Sequence, residues 1–194
     1  MSFSRNLFHL IAFLMFCVIS TSAQALSDSE EFNKDGLSFK YPSGWSFNDN
    51  SNADAQQITL GRTDSDAQIT VFVFRAPLTT PEKIAEAKKV LVDKYIASTT
   101  KSFEQAAGRP ESSAATSEIG AVKAEGVKIR ASLDGVPGMA EIQSAVVGQR
   151  LVVLTLLGPD RALLKARSAW DTIRTTIRIE SAPPQPKPSP QTTP

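Results

Sequence analysis

Histidine and cysteine most often supply a general base, a nucleophilic thiolate or a soft metal ligand, and this 194-residue chain has one of each, His9 and Cys17. Both lie within residues 1–25, which read as an export signal. Arg5 gives a positive start, Leu7 to Ile19 is apolar apart from His9, and Ala23-Gln24-Ala25 is a small-x-small cleavage site, so the mature chain is predicted to begin at Leu26. The thirteen-residue apolar run is short of the ~20 residues a spanning helix needs. Phe16 precedes Cys17 where a lipoprotein signal requires a small residue, so lipidation is not expected. Without histidine or cysteine, the mature chain can build no Ser-His-Asp or Cys-His machinery, no imidazole or thiolate metal site and no disulfide. Neither a cofactor nor a metal is expected.

The remaining constellations are few. Ser98-Thr99-Thr100-Lys101 has the Ser-x-x-Lys spacing that sets a hydroxyl and an amine on neighbouring helical turns, as in Ser-Lys hydrolases. The partner motifs Ser-Asp-Asn and Lys-Thr-Gly are missing, and surface positions on an amphipathic helix explain the pair more simply. Asn48 to Asp54, with Asp64 and Asp66 nearby, is oxygen-rich enough for a hard cation but lacks the glycine and closing glutamate of an EF-hand loop, so it reads as a solvated turn. No glycine-rich phosphate loop or nucleophile elbow is present, and no spacing singles out a carboxylate pair. Tyr41 and Trp45 can be read as an aromatic binding surface, although residues of their kind more often pack a core.

Charge narrows the partners. Without Arg5 the mature chain carries 20 basic and 20 acidic residues, and its longest basic run is Lys88-Lys89. Such a balance does not fit a nucleic-acid binder or an electrostatic membrane-surface binder.

Hydrophobic period supplies the elements that must position any site. Leu37 to Tyr41, Gln57 to Gly61 and Ala67 to Arg75 read as strands. In the third, Ile69, Val71 and Val73 share one face and Phe72 and Phe74 the other, which predicts cover on both sides of a sheet. Thr80-Pro81-Glu82 opens a helix whose stripe is Ile84, Ala87, Leu91 and Tyr95 and which ends between Lys101 and Ala107. Residues 114 to 157 predict an antiparallel meander turning at Gly120-Ala121, Asp134-Gly135 and Gly148-Gln149. A last helix follows Gly158-Pro159, with Leu163, Ala166, Trp170, Ile173 and Ile177 as its apolar stripe.

The chain therefore divides into a signal peptide (1–25), a polar leader (26–34), one α/β domain (35–180) and a tail (181–194). That tail holds six of the twelve prolines and reads as extended and disordered.

Gly36-Leu37-Ser38-Phe39-Lys40-Tyr41-Pro42-Ser43-Gly44-Trp45 resembles the opening strand and turn of the PsbP-like proteins, and the order of elements after it is similar too. The resemblance implies an α/β/α sandwich around a mainly antiparallel sheet and a non-enzymatic accessory or binding role. Together these readings predict an exported protein, periplasmic or secreted, without a membrane span after cleavage, whose partner is an envelope protein and not nucleic acid. The alternatives are an envelope hydrolase using carboxylates or the Ser-Lys pair, and a carrier of a small apolar ligand held between sheet and helix.

Overall fold

The structure, a computed structural model, describes residues 29–107, 109–133 and 135–180. The signal peptide and the proline-rich tail lie outside the described residues, as does Asp134 of the second meander turn.

Among the described residues ten strands form two sheets. Strands β3 (Ser46–Asp49), β4 (Ala55–Arg62), β5 (Ser65–Phe74), β6 (Glu111–Ile119), β7 (Val122–Leu133), β8 (Val136–Val147) and β9 (Arg150–Pro159) make a seven-stranded sheet in the order β3-β4-β5-β9-β8-β7-β6. Each neighbouring pair in it is antiparallel. Strands β1 (Ser29–Lys34), β2 (Leu37–Pro42) and β10 (Arg178–Ile179) make a smaller antiparallel sheet in the order β1-β2-β10. The long connection between β5 and β6 carries α1 (Pro81–Ala87), a π-helical segment (Lys88–Asp93) and α2 (Lys94–Ala107). Helix α3 (Asp160–Thr176) follows β9.

The predicted two-sided cover of β5 is what the sheet shows. Ile69, Val71 and Val73 join the larger core with the inner face of α3 and with Phe32, Leu37 and Phe39 of the small sheet. Phe72 and Phe74 point the other way, into a second cluster beneath α1 and α2. The result is a central antiparallel sheet with a helical arm on one face and α3 plus the small sheet on the other. Lys40 N donates to Thr176 Oγ1 at 2.9 Å, tying β2 to the end of α3.

Two expectations need correction. Residues 29–34 of the supposed polar leader are a full strand, paired with β2 from Ser29↔Pro42 to Lys34↔Leu37. Only Phe32 of that strand is buried, its ring stacked on Phe39 at 5.0 Å, while the charged neighbours stay in solvent. One aromatic side chain plus a complete hydrogen-bond ladder is enough to hold an edge strand whose composition looks like a linker.

The first helix is the second correction. It starts as expected, with the Thr80 hydroxyl accepting from Lys83 N and Pro81 in the first turn. The π segment then winds in i→i+5 fashion and shifts the phase of everything beyond it. Ala87, Val92 and Phe103 are buried, whereas Tyr95 of the predicted stripe is 41% exposed.

Candidate functional site

Tyr41 and Trp45 are not at the surface. They are 4% and 6% exposed, within the larger core. The Tyr41 ring lies 6.2 Å from Phe39 and 6.3 Å from Phe47, and its hydroxyl donates to Glu30 Oε2 at 3.0 Å. Burial, and then the bond to Glu30, push the phenol above its ordinary value. Their packing accounts for both residues; the exposed aromatic of that cluster is Phe47, at 47%.

Ser98 and Lys101 are exposed on α2, and neither lines a cavity described below. The oxygen-rich loop is closed on itself. Asp49 Oδ1 accepts from Ser51 N at 3.0 Å, Asn52 Oδ1 accepts from Asp54 N and Ala55 N at 2.9 Å, and Ser51 Oγ accepts from Gln57 N at 3.1 Å. Asp64 is held by the Arg62 guanidinium through two bonds of 2.8 and 2.9 Å. Among the described residues no group of three or more acidic, histidine or cysteine side chains is placed to hold a metal ion.

Asp49 has a structural role of its own. Its second oxygen accepts from Lys34 Nζ at 2.6 Å, linking the edge of the small sheet to the end of β3. That bond and those from Ser51 hold the Asp49 carboxyl far below the usual carboxylate range. A depressed folded-state value stabilises the protein above the unfolded-state value near 4 and is lost as pH falls further. The melting temperature of the parent is therefore expected to drop more steeply between about pH 5 and pH 2 than that of Asp49→Asn. Parallel slopes in a thermal melt series would remove the linkage.

The cavity worth notice lies where the helical arm overhangs the sheet. Beneath the arm, β7, β8 and β9 present Ile129, Ala140, Ile142, Leu151 and Val153, an apolar floor that the arm's buried side chains cover. Farther out, on the same face, β4 and β5 present Gln57, Thr59, Gln68 and Thr70. An apolar helix cannot cover amides and hydroxyls without stranding them, so the arm stops short and leaves a groove. Its volume is about 390 Å³, and its lining is Gln57, Thr59, Gln68, Thr70, Phe72, Val153 and Thr155 from the sheet with Leu91 and Tyr95 from the arm. This falls within the ~300–1,000 Å³ of small-molecule pockets. A more open hollow of about 350 Å³ is lined by the end of β5 and the segment after it, Phe74 to Leu78, and by residues of α1 and the π segment, among them Ala87 and Val90.

Register organises the groove. Thr59 is opposite Thr70, and Thr70 opposite Thr155, so three hydroxyls form one row across β4, β5 and β9. Adjacent members of such a row are ~5 Å apart. Two residues along, Gln57, Phe72 and Val153 form a second row, and on the other side Gln68 lies between Gly61 and Leu157. Thr155 is only 6% exposed, yet no side-chain hydrogen bond links it, or the other four polar lining groups, to another described residue. The lining has no carboxylate, ammonium or guanidinium group.

Two helical layers on opposite faces of a central antiparallel sheet, one of them joined by a small N-terminal sheet, make up the PsbP fold. The solution structure of cyanobacterial PsbP from Synechocystis aligns with 84% of this chain and 99% of its own at a TM-score of 0.50 and 12% identity. A crystal structure from Bacteroides thetaiotaomicron aligns with 80% of this chain at a TM-score of 0.51 and 12% identity, and the match spans half of that protein's length. LpqN of Mycobacterium tuberculosis, described as involved in cell envelope biogenesis, aligns with 78% of this chain and 90% of its own at 12% identity; at a TM-score of 0.43 it adds nothing to the fold assignment. No family model matches the sequence, and no curated protein matches it.

Proposed function

We propose that this chain is an exported, non-enzymatic binding protein of the bacterial envelope, periplasmic or secreted, which recognises its ligand in the groove between the helical arm and the sheet. The observation that carries this reading is the row Thr59, Thr70 and Thr155, without a side-chain partner among the described residues and roofed by Leu91 and Tyr95, in a lining without acid or base. An envelope hydrolase would need converging titratable groups, and the Ser-Lys pair lies on the exposed side of α2. A purely apolar cargo is disfavoured as well, because it would leave five polar groups unpaired. No helix of the described residues is long and apolar enough to cross a membrane, which is compatible with the exported reading. The fold shared with PsbP supports an accessory role.

The test is photo-crosslinking in the native cell envelope. A benzophenone amino acid replaces Tyr95 at the groove in one strain and Leu164, 81% exposed on the opposite face, in another. Intact-mass analysis should show a defined adduct at 95 and none at 164. Equal labelling at both sites, or none at 95, would remove the groove from the recognition surface.

A further inference from the structure

The chemistry of the lining narrows the ligand, on the reading that the groove is the recognition site. We infer that it is a neutral saccharide site. A charged ligand would surrender its hydration with no opposite charge to meet it, since every lining side chain is uncharged at neutral pH. A hydrocarbon chain would strand Gln57, Thr59, Gln68, Thr70 and Thr155. The occupant must be uncharged, carry several hydroxyl or amide groups along one edge, and offer an apolar face to the other side.

A sugar ring has that division. Its hydroxyls radiate in the plane of the ring, while its C–H groups make a flat apolar face that aromatic side chains cover. In the groove, the threonine row and the two glutamines supply donors and acceptors of both kinds, because each hydroxyl and amide can give and receive. Phe72 on the floor and Tyr95 on the overhang supply the aromatic surfaces, and the Tyr95 hydroxyl is a polar handle at the mouth. Thr155 is the most telling of these groups. It is the innermost member of the row, nearly buried beneath the arm, and still lacks a partner among the described residues. Among the described residues the one sealed side-chain polar atom without a partner is Gln56 Oε1, so the Thr155 hydroxyl is open to the groove, where a ligand hydroxyl reaching its inner end can take the place of water.

Toward the sheet edge, Gly61 has nothing within 4 Å of where its Cβ would stand, and Ser46 and Asn48 opposite Gly61 and Thr59 are exposed, so a chain of sugar units can leave the groove over β4 and β3. Oligosaccharides should therefore bind more tightly than the single sugars they contain.

The experiment titrates the mature protein with chitotriose, maltotriose and cellotriose, following backbone amides by NMR. Glucose 6-phosphate and decanol serve as the charged and apolar comparisons. The expected result is saturable binding of at least one trisaccharide at a Kd of ~1 mM or tighter. Its shifts should concentrate at 57–59, 68–72, 91–95 and 153–155. Thr155→Val and Thr70→Val keep the shape and remove one hydroxyl each, and each should weaken that binding by about tenfold with an unchanged melting temperature. Saturable decanol or glucose 6-phosphate binding without any trisaccharide would overturn the saccharide assignment. So would silence from all five probes. If the photo-adduct at position 95 persists in either case, the groove remains the recognition site and only its ligand class is wrong; if that adduct is missing too, both readings fall.

Discussion

Replacing Gly126 with alanine is expected to leave little or no folded protein. Gly126 sits in the middle of β7, opposite Ala115 of β6 and Gln143 of β8, where the pairings of both neighbours run without a break. A Cβ on its backbone would collide with the carbonyl oxygen of Ile142 and stand 2.8 Å from Gln143 Cα. Those atoms belong to the adjacent strand and cannot swing aside as the end of a side chain can. Relief requires β7 and β8 to part locally, with loss of ladder bonds in the sheet that both cores depend on. We expect a cost above ~4 kcal/mol, against a total of about 5–15 kcal/mol for a domain of this kind. Gly61→Ala is the matched control, a strand glycine whose Cβ would meet nothing within 4 Å. Circular dichroism and urea unfolding of the two variants decide the matter. A cooperative Gly126→Ala protein melting within a few degrees of the parent would show that the strands do not approach so closely.

Elements governed by short-range signals are legible in the sequence. The turns at Gly120-Ala121 and Gly148-Gln149 have positive φ at both central residues, 55° and 66° in one and 54° and 65° in the other, as tight hairpins require. The apolar stripe of α3 is buried at every predicted position from Leu163 to Ile177. Strand β1 escaped because one phenylalanine among charged residues carries no period, yet a signal stood beside it. Asp35-Gly36, with φ of 50° and 76°, is a two-residue hairpin turn and required a strand on each side.

The groove was harder to read for a different reason. Thr59, Thr70 and Thr155 are scattered along the chain, and only the register of three strands puts them in a row. Their polar faces were visible as alternation, but nothing local says that a helix will stop above them. Leu91 and Tyr95 are legible only as part of a helical stripe. The π segment, which no glycine or proline announces, moved Tyr95 off the packed face and to the mouth of the groove. The candidate site thus depends on the part of the helix where periodicity failed, in keeping with the tendency of π turns to occur at functional positions.

Trp170→Ala should cost about 3–5 kcal/mol, and its effect should differ in kind from a truncation on the other face. Trp170 is 1% exposed on the inner side of α3, in the core that also includes β2, β4, β5, β8 and β9. Its removal opens a cavity among residues from both sheets, so the whole domain should unfold at lower urea with an unchanged slope. Phe103 is an anchor of the helical arm, one of three buried side chains in Pro81–Ala106. An arm held by so few contacts can open while the sheet persists. Phe103→Ala is therefore expected to speed amide exchange across 81–107 well beyond any change in the β5 and β9 amides, whereas Trp170→Ala should speed both together. Uniform acceleration in both variants would mean that the arm is an inseparable part of the cooperative core. The groove would then be a fixed slot that its ligand must enter end-on. Selective acceleration would make the arm a roof that lifts, with Leu91 and Tyr95 closing on whatever the threonine row has captured.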